Sequence, residues 1–384
     1  MTAYTKRLQK VTAVLCTTAL LAGCAAGTSD NTEPAATTAQ VKTITIEPTA
    51  AYQTMNGFGA SACWWSQEVG NWENAKNILS LLYDENSGIG LNIYRYNLGA
   101  GSKDDATITD LDRRAEAFID KDGSYHWERD AAAQNALALA KSMNKDLRVT
   151  LFSNSAPVFY TVNGKAYCDY LPDDENYVTN LEPERYADFA KYSIACAKHF
   201  TEAGYRVTGL SPINEPEWSW RGYEDGTAKQ EGCYYSKTQC RDLYKVFLKQ
   251  MAQEDALKDC RLEGWESGHI GTDTCMAYLQ TMFGKSGVNG LKNNALRKGM
   301  PTLALHSYWA SPEEKQAFAN AIATTYGSNY KLALTEYCQM TEDQNSGVYD
   351  LIQKNGMDSG LGMEYGLAPV SYTHLRAHET CADL

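Results

Sequence analysis

From about residue 41 the chain alternates between short β-rich runs and longer segments of helical periodicity. The candidate strands are residues 43–46, 57–59, 91–96, 147–152, 207–213, 261–265, 302–306 and 332–335. The candidate helices are residues 72–83, 131–143, 184–204, 237–257, 273–283 and 313–326. Regular alternation of this kind predicts a parallel sheet covered by helices, which is either a (β/α)8 barrel or a doubly wound sheet.

The placement of polar residues favours the barrel. Polar side chains follow nearly every candidate strand: Arg95 and Asn97, Ser153 to Ser155, Asn214 and Glu215, Glu266, His306 and Tyr308, and Glu336. A barrel collects functional side chains from all its strand ends, whereas a doubly wound sheet gathers them at one switch point. We therefore predict a (β/α)8 TIM barrel over residues 55–369. The run at 43–46 does not fit the alternation and is assigned, with residues 41–54, to a side β-structure.

One candidate catalytic residue is Glu215, in the stretch Ser-Pro-Ile-Asn-Glu-Pro-Glu-Trp at residues 211–218. A glutamate held at a strand end can be positioned and partly desolvated, as a general acid requires. Asn214 beside it is suited to bind a substrate hydroxyl. The alternative is a surface loop turned by two prolines, which the position at the end of a barrel strand disfavours.

A second candidate is Glu336, which follows the apolar run Leu-Ala-Leu at residues 332–334. Burying a carboxylate without a function is costly, although a capping role in the strand–loop turn is an alternative. In a retaining glycosidase two carboxyl groups lie about 5–5.5 Å apart, one as nucleophile and one as acid/base. Arg95 is the predicted cation that keeps the nucleophile ionised, with a structural salt bridge as its alternative role. Tyr308 is a candidate hydrogen-bond donor to the nucleophile.

Charge and composition limit the partners. The net charge is −12 and no basic run follows the first residues, which argues against nucleic acid as a partner. The sequence contains neither a phosphate-binding glycine loop nor a clustered Cys/His pattern, so no cofactor and no metal are predicted. Eleven cysteines are present, but their disulfide pairing is left open by the sequence. A monomer is expected.

The first residues have the pattern of a targeting segment. Lys6, Arg7 and Lys10 precede an apolar stretch that is too short to span a bilayer. Leu-Ala-Gly-Cys at residues 21–24 resembles the lipobox of bacterial lipoproteins, which implies a signal peptide over 1–24 and a lipid on Cys24. An ordinary signal peptide is the alternative. Residues 25–40 are predicted to be a flexible tether, and we expect an extracytoplasmic protein anchored in the membrane by lipid.

The chain resembles glycoside hydrolase family 30 from about residue 43 to about residue 369. The matching stretches are 57–61, 95–99, 114–118, 122–125, 152–155, 210–217, 230–233, 306–308 and 334–338. The resemblance implies a (β/α)8 barrel fused to a β-sandwich, retaining chemistry without a metal, and β-linked glycan substrates. It implies Glu215 as acid/base and Glu336 as nucleophile.

Further residues are expected to bind substrate: Arg95, Asn154, Asn214, Trp65, Trp218, His306 and Tyr308. Cys63-Trp64-Trp65, Trp218 with Trp220, and Gln-Glu-Gly-Cys at 230–233 resemble the endo-β-1,6-galactanase branch of the family. The loop after the third strand lacks the tryptophans of some relatives, and Trp265-Glu266 stands where many have Asp-Glu. β-1,6-Glucanase, xylanase and a non-catalytic glycan-binding lipoprotein therefore remain alternatives.

The family pattern breaks near residue 370. Residues 370–384 match the translation of a transposon-based sequencing adapter, so we expect them to be a non-native tail. On this interpretation the eighth strand and most of the side β-sandwich are missing. We expect such a truncated barrel to fold poorly and to have little activity compared with its full-length parent, because its first and seventh strands have unpaired edges.

Overall fold

Seven parallel strands form the centre of the protein in the residues that the structure describes. In this computed structural model those residues are 55–172, 177–284, 295–308, 310–326 and 330–337, all within the unit Tyr52–Leu384. The strands are β1 (Gly59–Ser61), β2 (Ile93–Asn97), β3 (Arg148–Phe152), β4 (Arg206–Ser211), β5 (Arg261–Ser267), β6 (Thr302–His306) and β7 (Lys331–Glu336). The predicted signal peptide with Cys24, the tether, the side strand and the C-terminal tail lie outside the described residues and stay predictions.

The strand order identifies the architecture. The strands lie side by side in chain order from β1 to β7, and each neighbouring pair is parallel. A doubly wound sheet would reverse its order at a switch point. Here the order never reverses, and the two edge strands β1 and β7 approach each other to Cα–Cα distances of 8 Å or less. The predicted TIM-type barrel is confirmed, with seven of its strands in the described residues.

Helices lie between the strands. They are α1 (Trp65–Val69), α2 (Ala75–Tyr83), α3 (Ala131–Met143), α4 (Tyr186–Glu202), α5 (Lys237–Met251), α6 (Asp273–Phe283), α7 (Ala295–Gly299) and α8 (Pro312–Tyr326). In α4, Phe189, Ser193, Cys196 and Phe200 recur at helical spacing and are all buried against the sheet. At the start of α5, Ser236 and Gln239 form a reciprocal capping box. Among the described helices none combines the length and the apolar character needed to cross a membrane.

Because side chains alternate along β2, its polar side chains lie inside the barrel. Successive side chains of a strand point to opposite faces. Tyr94 and Tyr96 pack outward, and the Tyr96 ring lies 5.0 Å from that of Phe200 on α4. Arg95 and Asn97 therefore face the barrel interior, and both are buried. The sequence places these two residues after the second strand, but they lie within it. Glu266 likewise belongs to β5 rather than to the loop that follows. In both strands, residues with polar side chains extend the strand beyond its apolar run.

Three loops at the carboxyl ends of the strands are held together. They are named the β2 loop (98–130), the β3 loop (153–182, described except for 173–176) and the β4 loop (212–236). Glu231 of the β4 loop is fully buried and accepts hydrogen bonds from the Ala100 backbone (3.1 Å) and the Ser102 hydroxyl (2.6 Å) of the β2 loop. Burial raises the pKa of Glu231 to about 7. A small apolar cluster of Ile108, Tyr167 and Ala228 packs among the same loops.

Candidate active site

Glu215 and Glu336 meet at the carboxyl ends of the strands. Glu336 is the last residue of β7 and Glu215 lies in the β4 loop, four residues after the end of β4. One carboxylate oxygen of each, together with a ring nitrogen of His306, lie within 4.8 Å of one another. The side chains are only partly exposed, at 12% for Glu215 and 18% for Glu336. Two residues 121 positions apart in sequence thus form one half-buried carboxylate pair.

Glu336 is held in its ionised form. Arg95 Nη1 donates to Glu336 Oε1 at 2.5 Å, and the Tyr308 hydroxyl donates to Oε2 at 2.9 Å. Burial opposes ionisation of this carboxyl, but the positive charges of His306 and Arg95 and the bond from Tyr308 outweigh it and lower the pKa of Glu336. An ionised, partly desolvated carboxylate is suited to be a nucleophile.

Arg95 is fixed in place by the strands around it. Its guanidinium carbon lies 3.4 Å from the centre of the Phe152 ring at the end of β3. The same group donates to the Ser61 hydroxyl of β1 (3.1 Å) and to Asn214 Oδ1 of the β4 loop (3.2 Å). Burial disfavours the cation, but Glu266 and Glu336 raise the pKa of Arg95, so it remains a guanidinium. Arg95 therefore links four strand ends around Glu336.

His306 lies between the carboxylates at the end of β6. Its Nδ1 is 2.8 Å from Glu215 Oε1 and 3.6 Å from Glu336 Oε2, and its Nε2 is 3.2 Å from Glu266 Oε2. Burial disfavours the charged ring, but the three carboxylates raise the pKa of His306 to about 10. The imidazole is therefore protonated and donates from both nitrogens.

Glu266 forms the buried base of this cluster. Its side chain is fully buried, and Oε2 also accepts from the Thr335 hydroxyl and lies 3.6 Å from Arg95 Nη2. Burial opposes its charge, yet Arg95 and His306 lower the pKa of Glu266 to about 2. Its carboxylate therefore orients the two cations that face Glu215 and Glu336.

The grouping of Glu215, His306 and Glu336 has the compactness of a metal site. A histidine ligates a metal through the lone pair of a neutral ring. Both nitrogens of His306 are engaged by carboxylates, and its pKa of about 10 keeps the ring protonated at neutral pH. The donor set therefore fits a charge network better than a metal centre.

The backbone around Glu215 is constrained. Glu215 and Glu266 have positive φ angles of 45° and 58°, and the Glu215 N–H donates to the Glu266 carbonyl at 2.8 Å. Left-handed conformations of non-glycine residues cost of order 1–3 kcal/mol and persist at functional sites where the surroundings enforce them. A Cβ on Gly268 would lie 2.3 Å from Trp218 Nε1 and 2.9 Å from Glu215 Oε1. Only glycine at 268 allows this close approach.

The other predicted site residues fall into two groups. Asn154 is buried and donates to Asn97 Oδ1 at 3.2 Å, and Asn214 is buried against Arg95. Trp218 is exposed (43%), and its Nε1 lies near Glu215 Oε1, since both are close to the position of a Cβ on Gly268. Trp65 is only partly exposed, because its ring packs 6.3 Å from Tyr94 and its Nε1 donates to the Ser61 carbonyl. Its substrate contact stays a prediction.

Sequence reasoning assigned no role to Glu266 or to Thr335, Ser61 and Glu217. Glu217 accepts from Ser267 Oγ (2.5 Å) and the Gly268 N–H (2.7 Å) beneath the β4 loop, and burial raises its pKa. For Glu266 a signal existed, since it is a carboxylate directly after a candidate strand, as Glu336 is. For Ser61 and Thr335 the sequence offers none, because single hydroxyls are common at strand ends.

His306→Asn is expected to move the acid limb of the pH–rate profile to higher pH. The substitution removes the positive charge that lowers the pKa of Glu336, so this carboxyl stays protonated to a higher pH. We expect a shift of about one pH unit, with kcat/KM lowered about 10- to 100-fold at neutral pH. The measurement is kcat/KM from pH 3 to 9. His126→Asn, at a surface histidine paired with Asp120, is the control. An acid limb that does not move contradicts the assigned coupling.

Comparison with known proteins gives a family and a fold. A family model described as O-glycosyl hydrolase family 30 matches residues 41–377. This range includes the first residues of the predicted non-native tail, whose origin stays a prediction. An endo-β-1,6-galactanase from Hypocrea rufa is 30% identical over 50% of this chain and 43% of its own length. An exo-β-1,6-galactobiohydrolase from Bifidobacterium longum subsp. longum is 27% identical over 47% of this chain and 15% of its own. The chain thus spans less than half the length of these curated relatives.

Solved structures agree with the architecture. A conserved exported protein from Bacteroides fragilis superposes with a TM-score of 0.70 at 22% identity, covering 85% of this chain and 70% of that one. An endo-β-1,6-glucanase gives a TM-score of 0.56 at 18% identity, covering 77% and 60% respectively. At these identities the likeness is evidence for the fold alone.

Proposed function

Since the chain belongs to O-glycosyl hydrolase family 30, as its sequence motifs predict, we propose that it is a retaining, endo-acting glycoside hydrolase of β-1,6-linked galactan. One observation carries the proposal. Oxygens of Glu215 and Glu336 lie within 4.8 Å of each other at the carboxyl end of the barrel. Inverting enzymes separate their carboxyl groups by about 6.5–9.5 Å to admit a water, whereas retaining enzymes keep them about 5–5.5 Å apart.

The proposed reaction has two steps. Glu336, ionised beside Arg95 and His306, attacks the anomeric carbon while Glu215 donates its proton to the departing glycosidic oxygen. The sugar is then held as an ester of Glu336. In the second step Glu215 takes a proton from a water that attacks the same carbon, and Glu336 leaves as a carboxylate. Two inversions at one carbon give net retention.

The network around the pair supports these roles. Tyr308 and Arg95 each bind one oxygen of Glu336. During attack one oxygen forms the new bond, and the other remains available to its donor. His306 Nδ1 donates to Glu215 Oε1, so the remaining oxygen of Glu215 can carry the transferable proton. Trp218, which is 43% exposed, lies next to Glu215, where the leaving part of the glycan would pass.

The galactan assignment is supported by the relatives. The Hypocrea rufa protein is named an endo-β-1,6-galactanase and the Bifidobacterium protein an exo-β-1,6-galactobiohydrolase. The shared element of these names is the β-1,6-linked galactose chain. β-1,6-Glucan and xylan are the alternative substrates, and glycan binding without hydrolysis is the alternative function.

The test is a product profile on β-1,6-galactan, β-1,6-glucan and glucuronoxylan. We expect reducing ends to appear first and fastest on β-1,6-galactan, as a mixture of oligosaccharides, with the β-anomer formed initially in the proton NMR spectrum. Release of single terminal units would refute the endo mode, and initial α-anomer would refute retention. Binding to these glycans without any reducing-end release would favour the binding lipoprotein.

A further inference from the structure

Two buried cysteines face each other across the loops beside Glu215. Cys168 belongs to the β3 loop and Cys233 to the β4 loop, and they are 3% and 1% exposed. Both are free thiols in the structure. They are 65 residues apart in sequence, so their proximity is produced by the fold.

The backbones of the two loops run alongside each other at this point. The Gly232 N–H donates to the Ala166 carbonyl at 2.8 Å. Two residues further along each loop, the Tyr234 N–H points at Cys168 Sγ at 3.4 Å. Because Tyr234 directly follows Cys233, the Cys168 sulfur lies against the backbone of its counterpart. Cys233 Sγ is 3.9 Å from the Thr179 hydroxyl, which also belongs to the β3 loop.

From this arrangement we propose that Cys168 and Cys233 form a disulfide that fastens the β3 loop to the β4 loop. The oxidant is a small-molecule disulfide such as oxidised glutathione. The Cys233 thiolate attacks one sulfur of the oxidant and releases a first glutathione thiolate. The Cys168 thiolate then attacks Cys233 Sγ in the mixed disulfide and releases the second. The protein thiols lose two protons and two electrons, which the two glutathione molecules gain. Both cysteines are buried, so the bond forms while the chain folds, before the loops close.

In the folded protein the two thiols are hydrogen-bonded to each other. Burial opposes ionisation of Cys233, but hydrogen bonds from Cys168 and Tyr235 lower its pKa. The pKa of Cys168 is raised by its bond to Cys233 and by burial. These contacts hold the two sulfurs together once the loops have closed, whereas the exchange itself takes place earlier, with a thiolate as the attacking form.

The remaining described cysteines offer no comparable pair. Cys63 follows β1, Cys196 lies on α4, Cys240 on α5, Cys260 before β5 and Cys275 on α6. Cys240 is close to Cys233 in sequence, yet it lies inside the helix and is buried there. Sequence proximity alone therefore suggests the wrong partner for Cys233.

The cross-link would act on the segment that carries the proposed acid/base. The Cys168 N–H donates to the Trp220 carbonyl at 2.8 Å, and the Gly222 N–H donates to the Cys168 carbonyl at 2.8 Å. Trp220 Nε1 in turn donates to the Glu215 carbonyl at 2.8 Å. A bond at Cys168 therefore restrains the β4 loop on the side where Glu215 takes its left-handed conformation.

The experiment is peptide mapping of the protein refolded in a glutathione redox buffer. Free thiols are alkylated before tryptic digestion without reductant. Cleavage after Lys165, Arg185, Lys229 and Lys237 gives peptides 166–185 and 230–237, each with a single cysteine. We expect these two peptides to be joined, and to separate on treatment with dithiothreitol. The oxidised protein should melt about 5–10 °C above the reduced one.

Cysteine-to-serine variants identify which two thiols form the link. Cys168→Ser and Cys233→Ser should each abolish the joined peptide, whereas Cys260→Ser, at a buried cysteine near the other end of the barrel strands, should retain it. The peptide map of the unsubstituted chain remains a valid test even if a variant folds poorly. Recovery of both peptides singly alkylated overturns the proposal, as does a link from either one to a third cysteine. Neither result depends on which glycan the protein cleaves.

Discussion

Glu336→Gln is expected to lower kcat by at least about 10⁴-fold on every β-glycan that the protein cleaves, since Glu336 is the proposed nucleophile that forms the glycosyl ester. The amide has the shape of the carboxylate but neither its charge nor its nucleophilicity. It also leaves Arg95 and His306 facing each other without the anion between them. The measurement is reducing-end release at saturating substrate, with the melting temperature of the variant as the control for folding.

A small anion distinguishes loss of the nucleophile from general damage. In Glu336→Gly, azide can occupy the space of the missing carboxylate and attack the anomeric carbon of an activated aryl glycoside. We expect activity to return and the product to be the α-glycosyl azide. A β-azide product, or near-normal activity of Glu336→Gln, would transfer the nucleophilic role to another group. Glu266, which shares His306 with Glu336, would then be the first candidate.

Glu215→Gln is expected to lower kcat/KM on polysaccharide by about 10²- to 10⁴-fold, because a sugar hydroxyl is a poor leaving group without a proton. On an aryl glycoside whose phenol is acidic, the first step should be affected far less. The ester of Glu336 should then accumulate, because no base activates the water of the second step. A rapid burst of phenol followed by a slow steady state is the expected trace.

Glu217→Gln is the matched control for this experiment. It removes a carboxylate two residues away that binds Ser267 and Gly268 behind the site. We expect its effect to be the same on polysaccharide and on the activated aryl glycoside. If the leaving-group dependence appeared in Glu217→Gln and not in Glu215→Gln, the two carboxylates would have exchanged roles.

The barrel and its carboxylate pair could be predicted because both follow from periodicity. Alternating strands and helices predict parallel strands, and parallel strands place all their carboxyl ends at one face. Glu215 and Glu336 each follow an apolar run at such an end, so sequence alone predicts that they converge. The distance between their carboxylate oxygens and their shared contact with His306 could be learned only from the structure.

The role of Glu266 could not be read from the sequence in the same way. Its side chain makes no contact with solvent, and its function depends on neighbours from β2, β6 and β7. For Trp65, residue type and position predict a substrate contact, which stays a prediction. The structure adds that its ring packs against Tyr94 and that its Nε1 donates to the Ser61 carbonyl. Residue type predicts which contacts a side chain can make, and the tertiary neighbours select among them.

The position of His306 Nδ1, 2.8 Å from Glu215 and 3.6 Å from Glu336, has an electrostatic consequence for the whole cycle. The anions Glu336 and Glu266 lie against the cations Arg95 and His306. In the proposed first step, ester formation removes the charge of Glu336 while Glu215 gives up its proton and becomes anionic, so the total charge of the site is unchanged. In that mechanism one negative charge moves from one side of the His306 imidazolium to the other, and the site undergoes no net gain or loss of charge.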